Sequence, residues 1–411
     1  MPLPEREPPA TAFVAPPAET FPLWPLAATI AMQTLSTGAA YSFPAVAPEV
    51  ARDLGVDGAL VGFFISTVYG VGIVSALFSP NFVHRYGAVR VSQAVLAATL
   101  AMLLTASTGS LLSIALGAGL MGLAYGAAAP SSTHLLVPRT PKGALNLVLS
   151  IRQIGVPLGG VLAGLAMPRL TLAFGWRTAL VLETIPVLVL IGLLQIPRAR
   201  WDRPREPGRP IVYASLLQPL GLLRGRPAMR RLALVSFVYS GLQLCFIAFM
   251  TVHLTAHAGF TLVEAGQALA IYQLAGVVSR PVWGLIADRW LGAPWLLAIQ
   301  GLVGCGAAIA AGRFATDWPH AAVLAVCAVG GATASGFTGI AYAEWARLGA
   351  ERRTEATGLG AAMMFAGVLV LPSVMSVIVT ALGGYRAAYT LVGGLAAASG
   401  LWLVAGRRQG P

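Results

Sequence analysis

Two arginines stand where a cation is expensive. Arg152 and Arg280 lie inside long apolar runs of the 411-residue chain, and a fixed positive charge in such a setting is a candidate for binding an anion. Arg152 is followed by Gln153, an amide able to share an oxyanion with it, and then by the run Gly155-Val156-Pro157-Leu158-Gly159-Gly160. The alternatives for Arg152 are snorkelling to the nearer surface or pairing with Glu344. For Arg280 the alternative is a structural charge network with Asp288, two helical turns further on. Neutral polar residues recur at helical spacing in three other runs. These are Gln33, Thr37 and Tyr41; Ser236, Tyr239, Ser240 and Gln243; and Ser335, Thr338 and Tyr342. With Tyr125, Tyr272 and Gln273 they are candidates to line a cavity. The competing reading is hydrogen bonding between helices, worth about 0.6 kcal/mol per contact.

Proton chemistry has fewer candidates. Glu183 lies about 13 Å inside an apolar run, the best depth for a proton carrier, with structural pairing as the alternative. His134 and His253, with His257, titrate near neutrality when unperturbed. Glu344 and Arg347 are three apart, share a helix face and fit a gating salt bridge. No spacing of His, Cys, Asp or Glu suggests a metal site, no nucleophile comes with a base and an orienting group, and no cofactor is implied. An enzyme is therefore not expected. Cys245, Cys305 and Cys327 sit in apolar stretches, where a thiol acts as a small hydrophobe.

The elements that hold these residues follow from composition. The chain is 57% hydrophobic and 10% charged, whereas a soluble domain is about 25% charged. Apolar runs long enough to span a bilayer, about 20 residues each, fall at roughly 22–46, 57–80, 88–108, 110–136, 144–168, 174–196, 229–257, 262–287, 292–313, 319–347, 354–382 and 385–405. The net charge of +12 is distributed between them rather than gathered on a soluble face, so nucleic acid is not the expected partner. With both termini cytoplasmic, twenty of the 27 basic residues fall on the inner side, as the positive-inside bias requires. The only long polar connection follows the sixth span, near the middle of the chain.

The two halves resemble each other. Gly175-Trp176-Arg177 is echoed by Gly384-Tyr385-Arg386, Gly72 to Ser75 by Gly276 to Ser279, and Gln33 by Gln243. The reading is an all-α membrane protein with twelve transmembrane helices in two pseudo-symmetric six-helix bundles. Residues 1–21 are expected to form a disordered cytoplasmic tail, 22–196 the first bundle, 197–228 a cytoplasmic linker, 229–405 the second bundle and 406–411 a short cytoplasmic tail.

Gly284-Leu285-Ile286-Ala287-Asp288-Arg289, followed by Gly292, resembles the loop signature of the major facilitator superfamily, whose members are built from repeated halves. The first-half copy keeps Arg85 and Gly87 but has Pro80 and His84 where Gly and Asp are usual. The resemblance covers about Phe21 to Gly406. It implies that Asp288 caps the eleventh helix near Arg353-Thr354-Glu355, that Arg289 reaches Glu344, and that His84 makes the first-half lock weaker or pH-sensitive. It further implies a secondary transporter working by alternating access, expected as a monomer in the bacterial inner membrane. Arg152 and Arg280 favour a small organic anion as its solute, with a coupling proton open. Proton-coupled efflux of amphipathic compounds is the alternative, although Ala118 stands where proton-driven members carry Arg. A non-transporting receptor or scaffold is the alternative of another class.

Overall fold

The computed structural model describes residues 21–141, 148, 151–203, 205–208, 218–224, 226–349 and 353–405. The expected tail before Phe21, the central part of the linker and the tail after Ala405 lie outside the described residues. Twelve long helices are described. They are α1 (Leu23–Leu54), α2 (Val61–Tyr86), α3 (Ala88–Ser107), α4 (Leu111–Leu136), α5 (Gly155–Phe174) and α6 (Trp176–Trp201), then α7 (Pro227–His257), α8 (Leu262–Ile286), α9 (Ala293–Ala311), α10 (His320–Gly349), α11 (Arg353–Leu382) and α12 (Tyr385–Ala405).

Local chemistry sets several boundaries. Thr261 and Glu264 form a reciprocal cap at the start of α8, the Thr261 N–H donating to the carboxylate at 2.8 Å, and Ser110 and Ser113 do the same for α4. Gly87, at φ +99°, makes the sharp turn between α2 and α3 that a side chain would resist. Pro157 has no N–H for the Gln153 carbonyl, and helical structure is interrupted at Gln153 and Ile154 before α5 begins.

Eleven of the helices are long and apolar enough to cross a membrane; α1 falls short. The reason is its interior position. Thr29, Gln33, Thr34, Ser36, Thr37 and Ser42 are all buried, so α1 presents hydroxyls and amides to other helices instead of lipid. The protein is an integral, multi-pass membrane protein.

Packing repeats between the halves. α1 lies on α5 as α7 lies on α11, α2 on α4 as α8 on α10, and α3 on α6 as α9 on α12. The halves join through symmetry-related seams, α5 with α8 and α2 with α11, and through α1 with α7. Small residues make the α5–α8 seam close: a Cβ on Gly164 would lie 2.6 Å from the Gly266 carbonyl oxygen. The Thr251 hydroxyl donates to the Pro44 carbonyl, that of Ser376 to the Ala59 carbonyl, and that of Thr380 to Asp57 at 3.1 Å. These three bonds gather the halves at the end of the bundle away from the 202–226 connection, here called the far face; the opposite end is the linker face.

Candidate substrate cavity

Arg152, 5% exposed, projects from the broken turn before α5. Its Nη2 donates to Gln33 Oε1 at 2.8 Å and its Nη1 meets Gln153 Oε1 at 3.4 Å. Gln33 in turn donates to Thr37 Oγ1 at 3.0 Å, so two of the three residues on the α1 stripe are tied to this cation. The expected pairing alternative, with Glu344, is not formed. Arg280 on α8 donates from Nε to the Ser335 carbonyl at 3.3 Å and from Nη2 to Ser335 Oγ at 3.4 Å. Gln243 of α7 donates to the same hydroxyl at 3.2 Å, and the Tyr272 hydroxyl donates to the Gln243 carbonyl at 3.3 Å. Ser335 is offered in this way because α10 passes through a π-helical turn, Gly331–Ser335, where the regular hydrogen-bond ladder is broken.

The two cations share surroundings. Arg152 belongs to the first half but lies within electrostatic reach of Tyr342 in the second, as well as of Tyr125. Arg280 belongs to the second half and lies within reach of Tyr41 and Tyr125 in the first. The phenols of Tyr41, Tyr69 and Tyr125 face one another, and Phe365 of α11 meets Tyr69 edge-on with centroids 5.4 Å apart. Among the described residues neither guanidinium has a carboxylate partner. Both are held by neutral amides, hydroxyls and carbonyls, which leaves their charge for a ligand. Beyond Tyr125 the same face of α4 continues toward the linker face through Ala129 and Thr133, both exposed like Gln153. A separate apolar pocket of about 210 Å³, lined by Phe43, Phe64 and Ile114 among others, lies near the far face.

Other expected cavity and proton residues lie elsewhere. Gln273 is buried in the α5–α8 seam, its amide seated on Gly160. His253 Nε2 lies 2.7 Å from the Ala311 carbonyl, and its ring is surrounded by His257, Phe314, Tyr385 and Tyr389. His134 meets His84 edge-on at 4.7 Å. Glu183 reaches from α6 to the crossing of α1 and α5, where its Oε1 lies beside Gly38.

At the linker face the gating loops depart from expectation. Glu344 takes Arg347 of its own helix, with 2.7 Å between Arg347 Nε and Oε2, and the expected bridge from Arg289 is not made. A guanidinium one turn away on the same helix fills the carboxylate first. Gly284 has open space around it, and Ala287–Leu291 form a π-helical turn ending at Gly292. The side chains of Asp288, Arg353, Thr354 and Glu355 lie outside the described residues.

In the first half, the carboxylate that His84 cannot supply comes from Asp202, beyond the end of α6. It accepts from the Val89 N–H at 2.8 Å and the Arg90 N–H at 3.0 Å, capping α3. The Glu206 N–H donates to the His84 carbonyl at 2.8 Å, and Arg139 Nη2 to the Trp201 carbonyl at 2.8 Å. Burial pushes the Asp202 carboxyl above its ordinary value, opposed by the two N–H bonds.

A family model described as "Major Facilitator Superfamily" matches residues 28–346 and 232–411. The chain belongs to the major facilitator superfamily. Solved structures of transporters share the fold. A nucleoside transporter, NupG, aligns with a TM-score of 0.73 at 13% identity, covering 93% of this chain and 99% of that one. A bacterial homologue of the human lysosomal transporter Spinster, described as inward-facing, aligns with a TM-score of 0.67 at 15% identity, covering 93% and 95%. Two curated relatives are similar in sequence. The probable nitrate/nitrite transporter NarK2 of Mycobacterium tuberculosis is 25% identical over 58% of this chain and 60% of its own length. The 4-hydroxybenzoate transporter PcaK of Pseudomonas aeruginosa is 28% identical over 60% of this chain and 61% of its own. The matched stretch thus spans about three fifths of those relatives.

Sequence reasoning about this superfamily member missed Tyr69 and Asp202. Tyr69 belongs to no polar stripe, and Asp202 lies in the stretch read only as a cytoplasmic linker. The one available signal for Asp202 was the absence of an acid at position 84.

Proposed function

We infer that this protein is a secondary transporter that moves a small organic anion across the membrane by alternating access. The observation that carries the reading is the pair of guanidiniums, Arg152 from one half and Arg280 from the other, each held by neutral groups and each within electrostatic reach of a phenol of the opposite half. A planar oxyanion is the ligand such donors suit, since guanidinium presents paired N–H groups in one plane. The two named relatives support this class, because nitrate, nitrite and 4-hydroxybenzoate all carry a planar oxyanion. An anion between the halves replaces bonds to the neutral Ser335 and Gln33 with bonds in which donor and acceptor are both charged, and so biases how the halves sit.

The arginine bias assigns the linker face to the cytoplasm. On that assignment both termini are cytoplasmic and the far-face closure makes this conformation inward-facing. The bodies that rock are residues 22–196 and 229–405, the membrane is the bacterial inner membrane, and the protein works as a monomer.

The test is uptake of radiolabelled 4-hydroxybenzoate and of nitrate into proteoliposomes, with Arg152→Gln beside the wild type. Loss of a charged hydrogen-bond donor, about 1.5–3 kcal/mol, corresponds to a fall in apparent affinity of roughly 10- to 150-fold. Arg152→Gln transport equal to wild type removes Arg152 from the site, and wild-type failure with both anions removes the reading.

A further inference from the structure

Arginines crowd the start of α7 with no acid to meet them. Arg224, Arg226, Arg230 and Arg231 lie just before or within its first turns, and the chain has no Asp or Glu between Glu206 and Glu264 or after Glu355. The end of α12 that packs beside them therefore brings no acid either, and on α10 the Glu344 carboxylate is taken by Arg347. Arg226 leans toward α10, its Nη1 donating to the Leu348 carbonyl at 3.4 Å. Arg230 and Arg231 have no comparable acceptor among the described residues. Arg231 lies over the indole of Trp402 on α12, its Cζ 5.8 Å from the ring centroid, a cation–π contact. Its Nε is closed off from water with no partner.

The surface beneath these two guanidiniums is apolar and open. From Val235 to Leu254 α7 is buried apart from half-buried Phe237, and at this end it reaches the surface only in its first two turns. There Leu234 follows Arg230 by four residues and Arg231 by three, so it lies under both on one face, and it is exposed together with Leu401 and Trp402 of α12. Trp290 and Trp295, at the linker-face ends of α8 and α9, are exposed too. Exposed indoles at one end of a bundle mark the boundary between headgroups and acyl chains. Topology asks only that basic residues lie on the proper side of the membrane. It does not ask for an arginine as the fifth residue of a helix, stacked on a lipid-facing indole and short of acceptors.

We propose that the linker-face end of the α7–α12 groove binds the phosphate headgroup of an anionic phospholipid of the phosphatidylglycerol type. Arg230 and Arg231 are the donors, since guanidinium matches phosphate with paired N–H groups, and the acyl chains lie along Leu234, Leu401 and Trp402. A choline headgroup carries its own cation into the arginine cluster and gains less. The helix dipole of α7 adds to the same positive sign. The site is separate from Arg152 and Arg280 and does not depend on which solute is moved.

The experiment uses the full-length protein in vesicles that mix phosphatidylglycerol and phosphatidylcholine, one lipid or the other carrying brominated chains. Bromine quenches nearby tryptophan fluorescence, and the contribution of Trp402 is the wild-type signal less that of Trp402→Phe. The two bromine series together give the relative affinity of the Trp402 surroundings for the two lipids. The wild type is expected to favour phosphatidylglycerol by roughly 5- to 30-fold, because one arginine near an anionic headgroup is worth about fivefold in affinity and two are engaged. Arg230→Gln/Arg231→Gln is expected to remove that preference. Arg200→Gln/Arg203→Gln, which takes two exposed arginines from the same face of the first half, is expected to leave it unchanged. Equal quenching by the two lipids in the wild type overturns the proposal without recourse to any charge variant. A preference retained in Arg230→Gln/Arg231→Gln, or lost equally in Arg200→Gln/Arg203→Gln, overturns the site by assigning the effect to overall surface charge. A last arm exchanges chloride for inorganic phosphate at equal ionic strength. An unchanged ratio there supports the headgroup, and its loss means that the arginines take a free anion instead.

Discussion

Gly266→Ala tests whether the α5–α8 seam is what closes the far face. A Cβ on Gly266 would sit 2.2 Å from the Gly164 carbonyl oxygen and 2.6 Å from Pro168 Cγ. Ordinary contact begins at 3.4 Å, so the methyl intrudes by 3.4 less 2.2, or 1.2 Å, against a backbone atom that no rotamer change can move. Overpacking of this kind costs about 1–3 kcal/mol. In a conformation whose far face is open the seam is parted and the methyl meets nothing, so the cost falls on this conformation alone. The expected outcome is a shift of roughly 5- to 150-fold toward the far-open state. Two reporter cysteines read it, with half-buried Cys305 replaced by Ala. Ser376→Cys, buried at the far face, is expected to react faster with a maleimide when Gly266→Ala is present. Thr133→Cys, exposed toward the linker face, is expected to react more slowly. Unchanged rates at both reporters in a protein of lowered melting temperature would refute the reasoning, because the seam would then be a packing contact common to both states.

Other substitutions probe the linker face. Asp202→Ala removes both caps on α3 and is expected to lower stability by about 0.5–2 kcal/mol in thermal unfolding. Gly87→Ala, whose methyl would lie 2.3 Å from Asp202 Cγ, is expected to destabilise too, and the double variant to lose less than the sum. Because burial sets the folded value of the Asp202 carboxyl above its unfolded one, its contribution is full below the unfolded value and diminishes as pH rises through the folded value. The melting temperature of wild type relative to Asp202→Asn should accordingly fall with rising pH across that window. Arg347→Gln should destabilise more than Glu344→Gln, since the carboxylate side chain is 4% exposed and the guanidinium 56%: a stranded arginine turns to water and a stranded buried carboxylate does not.

Much of the fold was legible because it rests on local properties. Span length, apolar content and the duplicated Gly-aromatic-Arg pattern are carried by contiguous residues, and they suffice for twelve helices in two related bundles. The polar stripe Gln33, Thr37 and Tyr41 was legible for the same reason, since helical spacing alone puts those residues on one face. The first span was legible too, although α1 is the least apolar of the twelve, its hydroxyls and amides being hidden among other helices rather than turned to lipid.

What the tertiary structure decided are the partners, because a side chain's choice among several donors depends on distances that no local pattern contains. Sequence spacing left Arg152 free to pair with Glu344; in the fold Glu344 is taken by Arg347 and Arg152 by Gln33, 119 residues away. Gln273 looked like a cavity amide and packs into a seam, because Gly160 opposite it has no side chain and leaves room for the amide. The cap on α3 comes from Asp202, 113 residues beyond Val89. The amino-acid order by itself marked Arg152 and Arg280 as charges inside spans, but not Asp202, which only the fold buries. Their neighbours were determined by how two six-helix bundles close on one another, since desolvated groups pair with whatever donors that closure brings within reach.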